Sequence, residues 1–296
     1  MAYSEKERGV LERVKKSPFP TDYKGLRDSI NATIGATNAR PPEIGAFEED
    51  VELRPGLRAD ISVPKGAGPH PVAIYLHGGG WVAGSSKSHR KLGMQFAEAG
   101  YLTLNLDYRL APEHPFPAGF EDSVFALRWA RENAKRWNGD GARMAIGGDS
   151  AGANLAAAAA LEIGKHPNGV LLSALLLLYG LYDIRAMMAR GREGGVPGTN
   201  KHYLGADFEA KLDDPRVSPI RGVKPGALPP TFIMVGTADN LLAESYAMAQ
   251  ELGRAEIPHE VHVLEEMPHA FMQMWMLSGC VEGQRLMFNF MKRHIE

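Results

Sequence analysis

Residues 144–154 form the stretch that most restricts how this chain can fold. An apolar segment ends at Ile146, the sequence G-G-D-S-A-G follows at 147–152, and an alanine-rich segment comes next. The apolar run predicts a buried strand and the alanine run predicts a helix. Ser150 stands at the apex of the turn between them, with a glycine two residues to either side. A strand–turn–helix unit with G-x-S-x-G is typical of a nucleophile elbow, in which a strained backbone exposes the serine hydroxyl.

The composition favours an ordinary globular protein. The chain has 296 residues, which is enough for one large α/β domain with a full hydrophobic core. Its 33 basic and 35 acidic side chains give a net charge of −2, so the charge does not indicate a nucleic-acid partner. The single cysteine, Cys280, excludes a disulfide bond within the chain, and we expect it to be a packing residue of the last helix.

Two features bear on the cellular location. The first eight residues are charged and lack the apolar segment of a signal peptide. The longest apolar run, residues 170–182, is interrupted by Ser173 and Gly180 and is too short to span a bilayer. We therefore expect a cytoplasmic protein without a transmembrane segment.

Predicted strands and helices alternate along most of the chain. Two charged helical segments, at 5–16 and 23–30, precede a predicted hairpin of strands at 50–54 and 57–63. Alternation of this kind predicts an α/β fold with a mostly parallel sheet and helices on both faces. The predicted strands that follow the hairpin lie at 72–76, 102–106, 143–146, 171–178, 231–235 and 260–264, and the predicted helices lie at 121–137, 155–161, 246–254 and 284–294.

One segment interrupts this alternation. Residues 184–212 contain no strand pattern, are rich in Gly, Met and Arg, and lie between two predicted strands. A long insertion above the carboxyl ends of parallel strands is a candidate lid. Its Met187, Met188 and Tyr203 suggest an apolar acyl pocket, although such residues equally serve as packing.

A serine nucleophile needs a base in contact with it and a carboxylate that orients the base. In this kind of fold the expected chain order is serine, then acid, then histidine. His269 lies in a loop just after the strand that ends at Leu264, which is the correct position for the base. The other histidines of this region, His259, His262 and His294, fall within a strand or near the end of the terminal helix.

Two aspartates compete for the role of the acid. Asp239 follows the predicted strand at 231–235, and Asp183 follows the preceding strand. We prefer Asp239 because its strand comes immediately before the strand that leads to His269. Asp183 is the alternative, and Asp239 could otherwise serve as the cap of the next helix.

The sequence H-G-G-G-W at 77–81 follows a predicted strand and is a candidate oxyanion loop. Consecutive glycines let backbone N–H groups approach a substrate carbonyl oxygen without interference from side chains. A phosphate-binding loop is disfavoured because no G-K-[ST] follows and the glycines do not fit G-x-G-x-x-G. A metal site is disfavoured because the histidines are not paired at ligand spacing.

Five blocks in the same order resemble the hormone-sensitive lipase family of α/β-hydrolases, in its bacterial carboxylesterase branch. The resemblance covers about residues 71–271. The blocks are H-G-G-G-W at 77–81, D-Y-R-L-A-P-E at 107–113, G-D-S-A-G at 148–152, D-P-R-V-S-P at 214–219, and Asp239 with Leu241.

The resemblance implies a role for each candidate residue. Ser150 would be the nucleophile, His269 the base and Asp239 its partner, while Gly79, Gly80 and Ala151 would supply the oxyanion donors. It also implies that residues 1–45 and the insertion at 184–212 form a helical cap over a hydrolase core at 46–183 and 213–296. Family members often dimerise through an edge strand, which the resemblance assigns to 231–235, so a homodimer is expected.

The function predicted from the sequence is that of a serine carboxylesterase. Its partner would be a small-molecule ester with short to medium acyl chains, and it would need neither a cofactor nor a metal. An amidase, lactonase, thioesterase or lipase on the same machinery is an alternative, since the fold does not separate these activities. A catalytically silent ligand receptor is a further alternative, but that interpretation predicts the loss of a triad residue.

Overall fold

The structure, a computed structural model, describes residues 3–18, 20–166, 169–191 and 196–295. These residues contain eight strands and nine α-helices. The strands are β1 (Ala46–Arg54), β2 (Leu57–Val63), β3 (His70–Leu76), β4 (Leu102–Asp107), β5 (Gly139–Asp149), β6 (Leu172–Leu178), β7 (Thr231–Gly236) and β8 (His259–Leu264). The helices are α1 (Glu5–Lys16), α2 (Tyr23–Thr37), α3 (Arg90–Glu98), α4 (Ala118–Asn133), α5 (Ala151–Gly164), α6 (Ile184–Ala189), α7 (Thr199–Leu204), α8 (Leu242–Arg254) and α9 (Ser278–Ile295).

The strands form one sheet in the order β1-β2-β4-β3-β5-β6-β7-β8. β2 pairs antiparallel with both β1 and β4, which confirms the predicted hairpin, and every pairing from β4 to β8 is parallel. The predicted fold class, a mostly parallel sheet flanked by helices, is therefore confirmed. The carboxyl ends of the parallel strands meet at one edge, where sheets of this type place their sites.

Helices cover both faces of the sheet, and β3 shows how the sequence divides between them. Because successive side chains of a strand point to opposite faces, Ile74 packs in one buried cluster and Tyr75 in the other. The first cluster includes buried residues of α4, α5 and α8, and the second includes those of α1, α3 and α9. The inner parallel strands β3 and β7 are thus buried along their whole length, which explains their mostly apolar sequences.

Two predictions need correction. The strand at 231–235 is not an edge strand, because β7 pairs with β6 on one side and with β8 on the other. The two edge strands of the sheet are β1 and β8, and the residues of β8 are all half-buried. α3 was not predicted from the sequence, because the weak helix former Gly93 interrupts the apolar face made by Leu92 and Phe96.

The N-terminal segment and the insertion are both helical. α1 packs Leu11 into the core, and α2 extends seven residues beyond its predicted end at Ile30, to Thr37. The insertion contains α6 and α7. Within the predicted domains, residues 1–2, 19, 167–168, 192–195 and 296 lie outside the described residues. No helix in the described ranges has the length and hydrophobicity needed to cross a membrane.

Candidate active site

Ser150 occupies a strained turn between β5 and α5. Its backbone has φ 54° and ψ −118°, a conformation that is costly for a residue with a side chain. The turn is held because the Ser150 N–H donates to the carbonyl oxygen of Leu178 on β6 at 2.9 Å. β5 ends at Asp149 and α5 begins at Ala151, so the strand–turn–helix unit expected from the sequence is present.

The two glycines beside this turn are required by close backbone contacts. A Cβ on Gly148 would lie 2.4 Å from the carbonyl oxygen of Leu76, and a Cβ on Gly152 would lie 2.0 Å from the same oxygen. Real Cβ atoms do not approach backbone oxygens so closely. The glycines therefore allow β3, the turn and α5 to pack together.

We expect Gly152→Ala to destabilise the protein by about 3 kcal/mol, because neither the β3 backbone nor the turn can move without disturbing the sheet. Thermal unfolding would measure this loss. Gly35→Ala in α2 is the matched control, since a Cβ there meets no atom within 4 Å and alanine is the better helix former. An unchanged melting temperature for Gly152→Ala would contradict the packing argument.

Ser150, His269 and Asp239 form one chain of hydrogen bonds. His269 Nε2 lies 2.9 Å from Ser150 Oγ, and His269 Nδ1 lies 2.9 Å from Asp239 Oδ2. The second oxygen of Asp239 accepts from the Leu241 N–H at 2.7 Å, which fixes the carboxylate. Because a carboxylate only accepts, the ring proton lies on Nδ1 and leaves Nε2 free to accept the serine proton.

The surroundings of His269 raise its pKa. Burial favours the neutral ring and lowers the pKa, but the charge and hydrogen bond of Asp239 outweigh burial, so that the net pKa lies above its ordinary value. The Asp149 carboxylate adds to this effect. The ring is therefore a stronger base than a free histidine.

The alternative candidates for the base and the acid make contacts away from Ser150. His262 contacts Glu260, His259 contacts the carbonyl oxygen of Ile257, and His294 packs against a phenylalanine ring. Asp183 caps α6 by accepting from the Ala186 N–H at 2.9 Å. The predicted order of serine, acid and histidine is thus matched by three side chains in contact.

The glycine loop after β3 lies beside Ser150. Gly79 and Gly80 have positive φ angles of 128° and 61°, and a Cβ on Gly79 would lie 2.1 Å from the carbonyl oxygen of Ala83. Ala151 is the first residue of α5, so its N–H has no helical acceptor. Gly79 and Gly80 line the same cavity as Ser150, and Ala151 follows it in the chain, so the three candidate oxyanion donors lie beside the serine.

A cavity of about 570 Å³ opens above Ser150 and His269. Its apolar wall includes Leu26 and Ile30 of α2, with Thr33 and Thr37 continuing the same helical face. The rest of its lining consists of Gly78, Gly79, Gly80, Ser88, His89, Asp149, Ala238, Asn240, Leu241, Ala270 and Gln273.

The apolar wall differs from the one suggested by the sequence. Within the described residues, Met187, Met188 and Tyr203 are not part of the cavity lining. Met187 and Met188 pack against the core, and Tyr203 stacks on Trp81 with ring centroids 4.4 Å apart. The insertion thus supports the glycine loop from behind, while α2 faces the cavity.

Arg27 holds α2 against the cavity. Its guanidinium pairs with Glu113 at 2.6 Å and also donates to the carbonyl oxygens of Val82 and Ala111. At the other end of the helix, Trp275 Nε1 donates to the carbonyl oxygen of Thr37. The helix is therefore fixed at both ends as a wall of the cavity.

Comparison with known proteins identifies the family. A family profile described as the alpha/beta hydrolase fold matches residues 73–273, which is more than half of the chain. This chain belongs to the α/β-hydrolase family. The resemblance noted in the sequence is thereby confirmed at the level of the family.

Individual relatives of this α/β-hydrolase carry several names. It is 30% identical over 276 residues to the carboxylic ester hydrolase LipN of Mycobacterium tuberculosis, covering 86% of this chain and 72% of LipN. It is 31% identical over 230 residues to 2-hydroxyisoflavanone dehydratase of Glycyrrhiza echinata, covering 68% and 70% of the two chains. Among solved structures, an esterase of Pyrobaculum calidifontis superposes with a TM-score of 0.87 at 25% identity, covering 99% of each chain.

Two parts of the site of this α/β-hydrolase were not predicted from its sequence. The cavity wall on α2 was signalled by Leu26 and Ile30, which are four residues apart on one helical face, but nothing local placed that face over Ser150. The second part is His89, which lines the cavity and contacts Asp149 at 3.2 Å. Nothing in the sequence indicated this contact, because His89 and Asp149 are sixty positions apart.

Proposed function

We propose that this α/β-hydrolase is a serine carboxylesterase that acts on short- to medium-chain acyl esters. The observation that carries the proposal is the continuous chain of hydrogen bonds from Ser150 through His269 to Asp239, at the floor of a cavity. Relatives and a structural neighbour that are named as ester hydrolases support it.

In the first half of the reaction, Ser150 Oγ attacks the ester carbonyl carbon and its proton passes to His269 Nε2. The negative charge that develops on the carbonyl oxygen is stabilised by N–H groups of Gly79, Gly80 and Ala151. Asp239 stabilises the imidazolium that forms. The Nε2 proton then moves to the leaving oxygen, the ester C–O bond breaks, and the alcohol departs.

In the second half, water attacks the acyl-enzyme while His269 Nε2 accepts a proton from it. The same N–H groups stabilise the second tetrahedral intermediate. The bond between the acyl carbon and Ser150 Oγ then breaks, and the proton returns from His269 to the serine. The acid is released and the triad regains its starting state.

The cavity supports a substrate of modest size. Its volume of about 570 Å³ lies within the usual range for small-molecule sites, and Leu26 and Ile30 offer apolar contact to an acyl or alkyl group. We further propose that residues 1–45 and 184–212 form a single cap. Tyr23 of α2 contacts His202 of α7 with ring centroids 4.8 Å apart, which supports this assignment.

A cytoplasmic location and a homodimer remain predictions. We propose the edge strand β8, in place of the inner strand β7, as the strand along which a second copy continues the sheet.

Hydrolysis of a series of p-nitrophenyl esters, from acetyl to palmitoyl, tests the proposal. We expect the rate to be highest for short and medium acyl chains and to fall sharply at palmitoyl, because the apolar wall formed by Leu26 and Ile30 spans only about one helical turn. The matching p-nitroanilides and lactones distinguish an amidase or lactonase. A wild-type protein that hydrolyses none of the esters would overturn the proposal and favour a receptor or another activity.

A further inference from the structure

A second serine–histidine–aspartate arrangement lies beneath the glycine loop, next to the first. His89 Nδ1 lies 2.8 Å from Ser88 Oγ, and His89 Nε2 lies 3.2 Å from Asp149 Oδ1. All three side chains are buried, and all three residues border the cavity. The proposed reaction uses none of these side chains directly, so their arrangement requires its own explanation.

Ser88 is not placed to be a second nucleophile. Its Oγ donates to the carbonyl oxygen of Ser85 at 2.8 Å and accepts from the Ser85 N–H at 3.0 Å. The hydroxyl is thus engaged in a local turn, and the turn carries none of the strain that exposes Ser150. Ser88 instead holds the His89 ring by its Nδ1 atom.

The carboxylate of Asp149 connects His89 to the reaction. Its Oδ1 accepts from the Gly78 N–H at 3.0 Å and from the Tyr75 hydroxyl at 2.8 Å, in addition to His89. Its Oδ2 accepts a longer bond from Gln273 Nε2 at 3.3 Å. Burial raises the pKa of the Asp149 carboxyl, but the charge and hydrogen bond of His89 and the Tyr75 hydroxyl bring the net pKa below its ordinary value.

The Asp149 carboxylate connects the serine turn to the glycine loop. Asp149 immediately precedes Ser150, and its partner Gly78 immediately precedes Gly79 and Gly80. One side chain therefore ties the elbow to the glycine loop. A rotation of the carboxylate would move the loop N–H groups relative to Ser150 Oγ.

His89, Tyr75 and Gln273 all oppose that rotation, and His89 is the histidine among the neighbours of the carboxylate that contacts it directly. His77 also lies nearby, with its ring centroid 5.8 Å from that of His89, but burial lowers the pKa of His77 to about 3 and keeps it neutral. His77 uses its Nδ1 on the carbonyl oxygen of Gly78 and makes no hydrogen bond to Asp149 among the described contacts. His89 is held on both sides, by Ser88 and by Asp149.

We propose that His89 is a positioning residue for the oxyanion loop: it orients the Asp149 carboxylate, which in turn fixes the Gly78 N–H and with it Gly79 and Gly80 beside Ser150. The inference rests on the proposed esterase function. We expect His89 to stabilise the transition state rather than the bound substrate, because the loop N–H groups bind the oxyanion more strongly than the substrate carbonyl.

Two substitutions of His89 separate its two contacts. In His89→Gln the amide nitrogen can take the place of Nε2 and still donate to Asp149. In His89→Asn the shorter amide reaches only the place of Nδ1, so the Ser88 contact is kept and the Asp149 contact is lost. Both are polar and smaller than histidine, and His262→Gln on β8 is the matched control outside the cavity.

We expect His89→Asn to lower kcat by about 10- to 100-fold with KM nearly unchanged, since a misplaced donor costs about this much. His89→Gln and His262→Gln should stay within about threefold of the wild type. A trifluoromethyl ketone, which forms a tetrahedral oxyanion adduct with serine, should bind His89→Asn more weakly by the same factor as the loss of kcat/KM. A fluorophosphonate titration counts active sites, so that kcat refers to folded enzyme.

Three results would overturn the inference. His89→Asn could match the wild type, the Asn and Gln variants could lose kcat equally, or KM could rise while kcat and ketone affinity are retained. The last result would make His89 a substrate contact. A wild-type protein without esterase activity would contradict the proposed function instead, so the two failures are distinguishable.

Discussion

Ser150→Ala is expected to lower kcat by about 10⁶-fold, because removal of the nucleophile from a triad eliminates the acyl-enzyme route altogether. The remaining His269 and Asp239 cannot compensate, since they act on the serine proton. The cavity is unchanged by the loss of one oxygen, so binding of a non-hydrolysable substrate analogue should be retained. Steady-state hydrolysis of p-nitrophenyl butyrate and calorimetric binding of the analogue measure the two quantities.

Ser245→Ala is the matched control for this substitution. Ser245 is also a buried serine, and its Oγ has no hydrogen-bond partner among the described residues. Its removal should leave kcat unchanged. Residual activity of Ser150→Ala above about one per cent, with contamination excluded by a serine-directed probe, would mean that another group attacks the ester.

Asp239→Asn is expected to lower kcat by about 10⁴-fold, as the equivalent change does in a serine protease triad. The asparagine can present its NH₂ group to His269 Nδ1, which favours the tautomer with the proton on Nε2. That tautomer cannot accept the proton of Ser150. KM should change little, because Asp239 contacts His269 rather than the cavity.

The same substitution should move the pH profile. Only neutral His269 accepts the serine proton, so kcat/KM falls as the pH is lowered through the pKa of the ring. In the wild type, Asp239 holds the pKa of His269 above its ordinary value. The acidic limb of the wild-type profile of kcat/KM against pH should therefore lie at correspondingly high pH. In Asp239→Asn that charge is absent and burial lowers the pKa of His269, so the acidic limb of the residual activity should shift to lower pH.

Asp183→Asn is the matched control for both measurements, and it also decides between the two candidate acids. Asparagine caps a helix as well as aspartate does, so α6 should remain intact. We expect wild-type kcat and an unshifted acidic limb. If Asp183→Asn lost activity and Asp239→Asn kept it, the assignment of the acid would be reversed.

The parts of this protein that the sequence predicts are those that depend on neighbouring residues. The strand ending before Ser150, the turn with its two glycines and the alanine-rich α5 are continuous in the chain, so local preference and backbone sterics indicate them directly. His269 was also predictable, because residues that follow successive parallel strands must meet at one edge of the sheet. Asp239 was preferred to Asp183 because its strand comes immediately before the strand that leads to His269.

Other features depended on the order in which strands assemble. The sequence of β7 reads as a strand, but its inner position follows from pairing with both β6 and β8. α3 was missed because Gly93 weakens the local helix signal, whereas packing of Leu92 and Phe96 on the sheet stabilises the helix. Strand order and helix docking are set by contacts distant in sequence.

The sequence by itself thus determined the fold class and the elbow, and it named the three side chains that the structure brings into contact. Only the tertiary structure decided that α2 forms the cavity wall and that His89 meets Asp149 beneath the glycine loop. The physical reason is that these contacts arise from side-chain packing between elements far apart in the chain. Such packing leaves no periodic or local pattern in the sequence, and becomes visible only when the elements are docked.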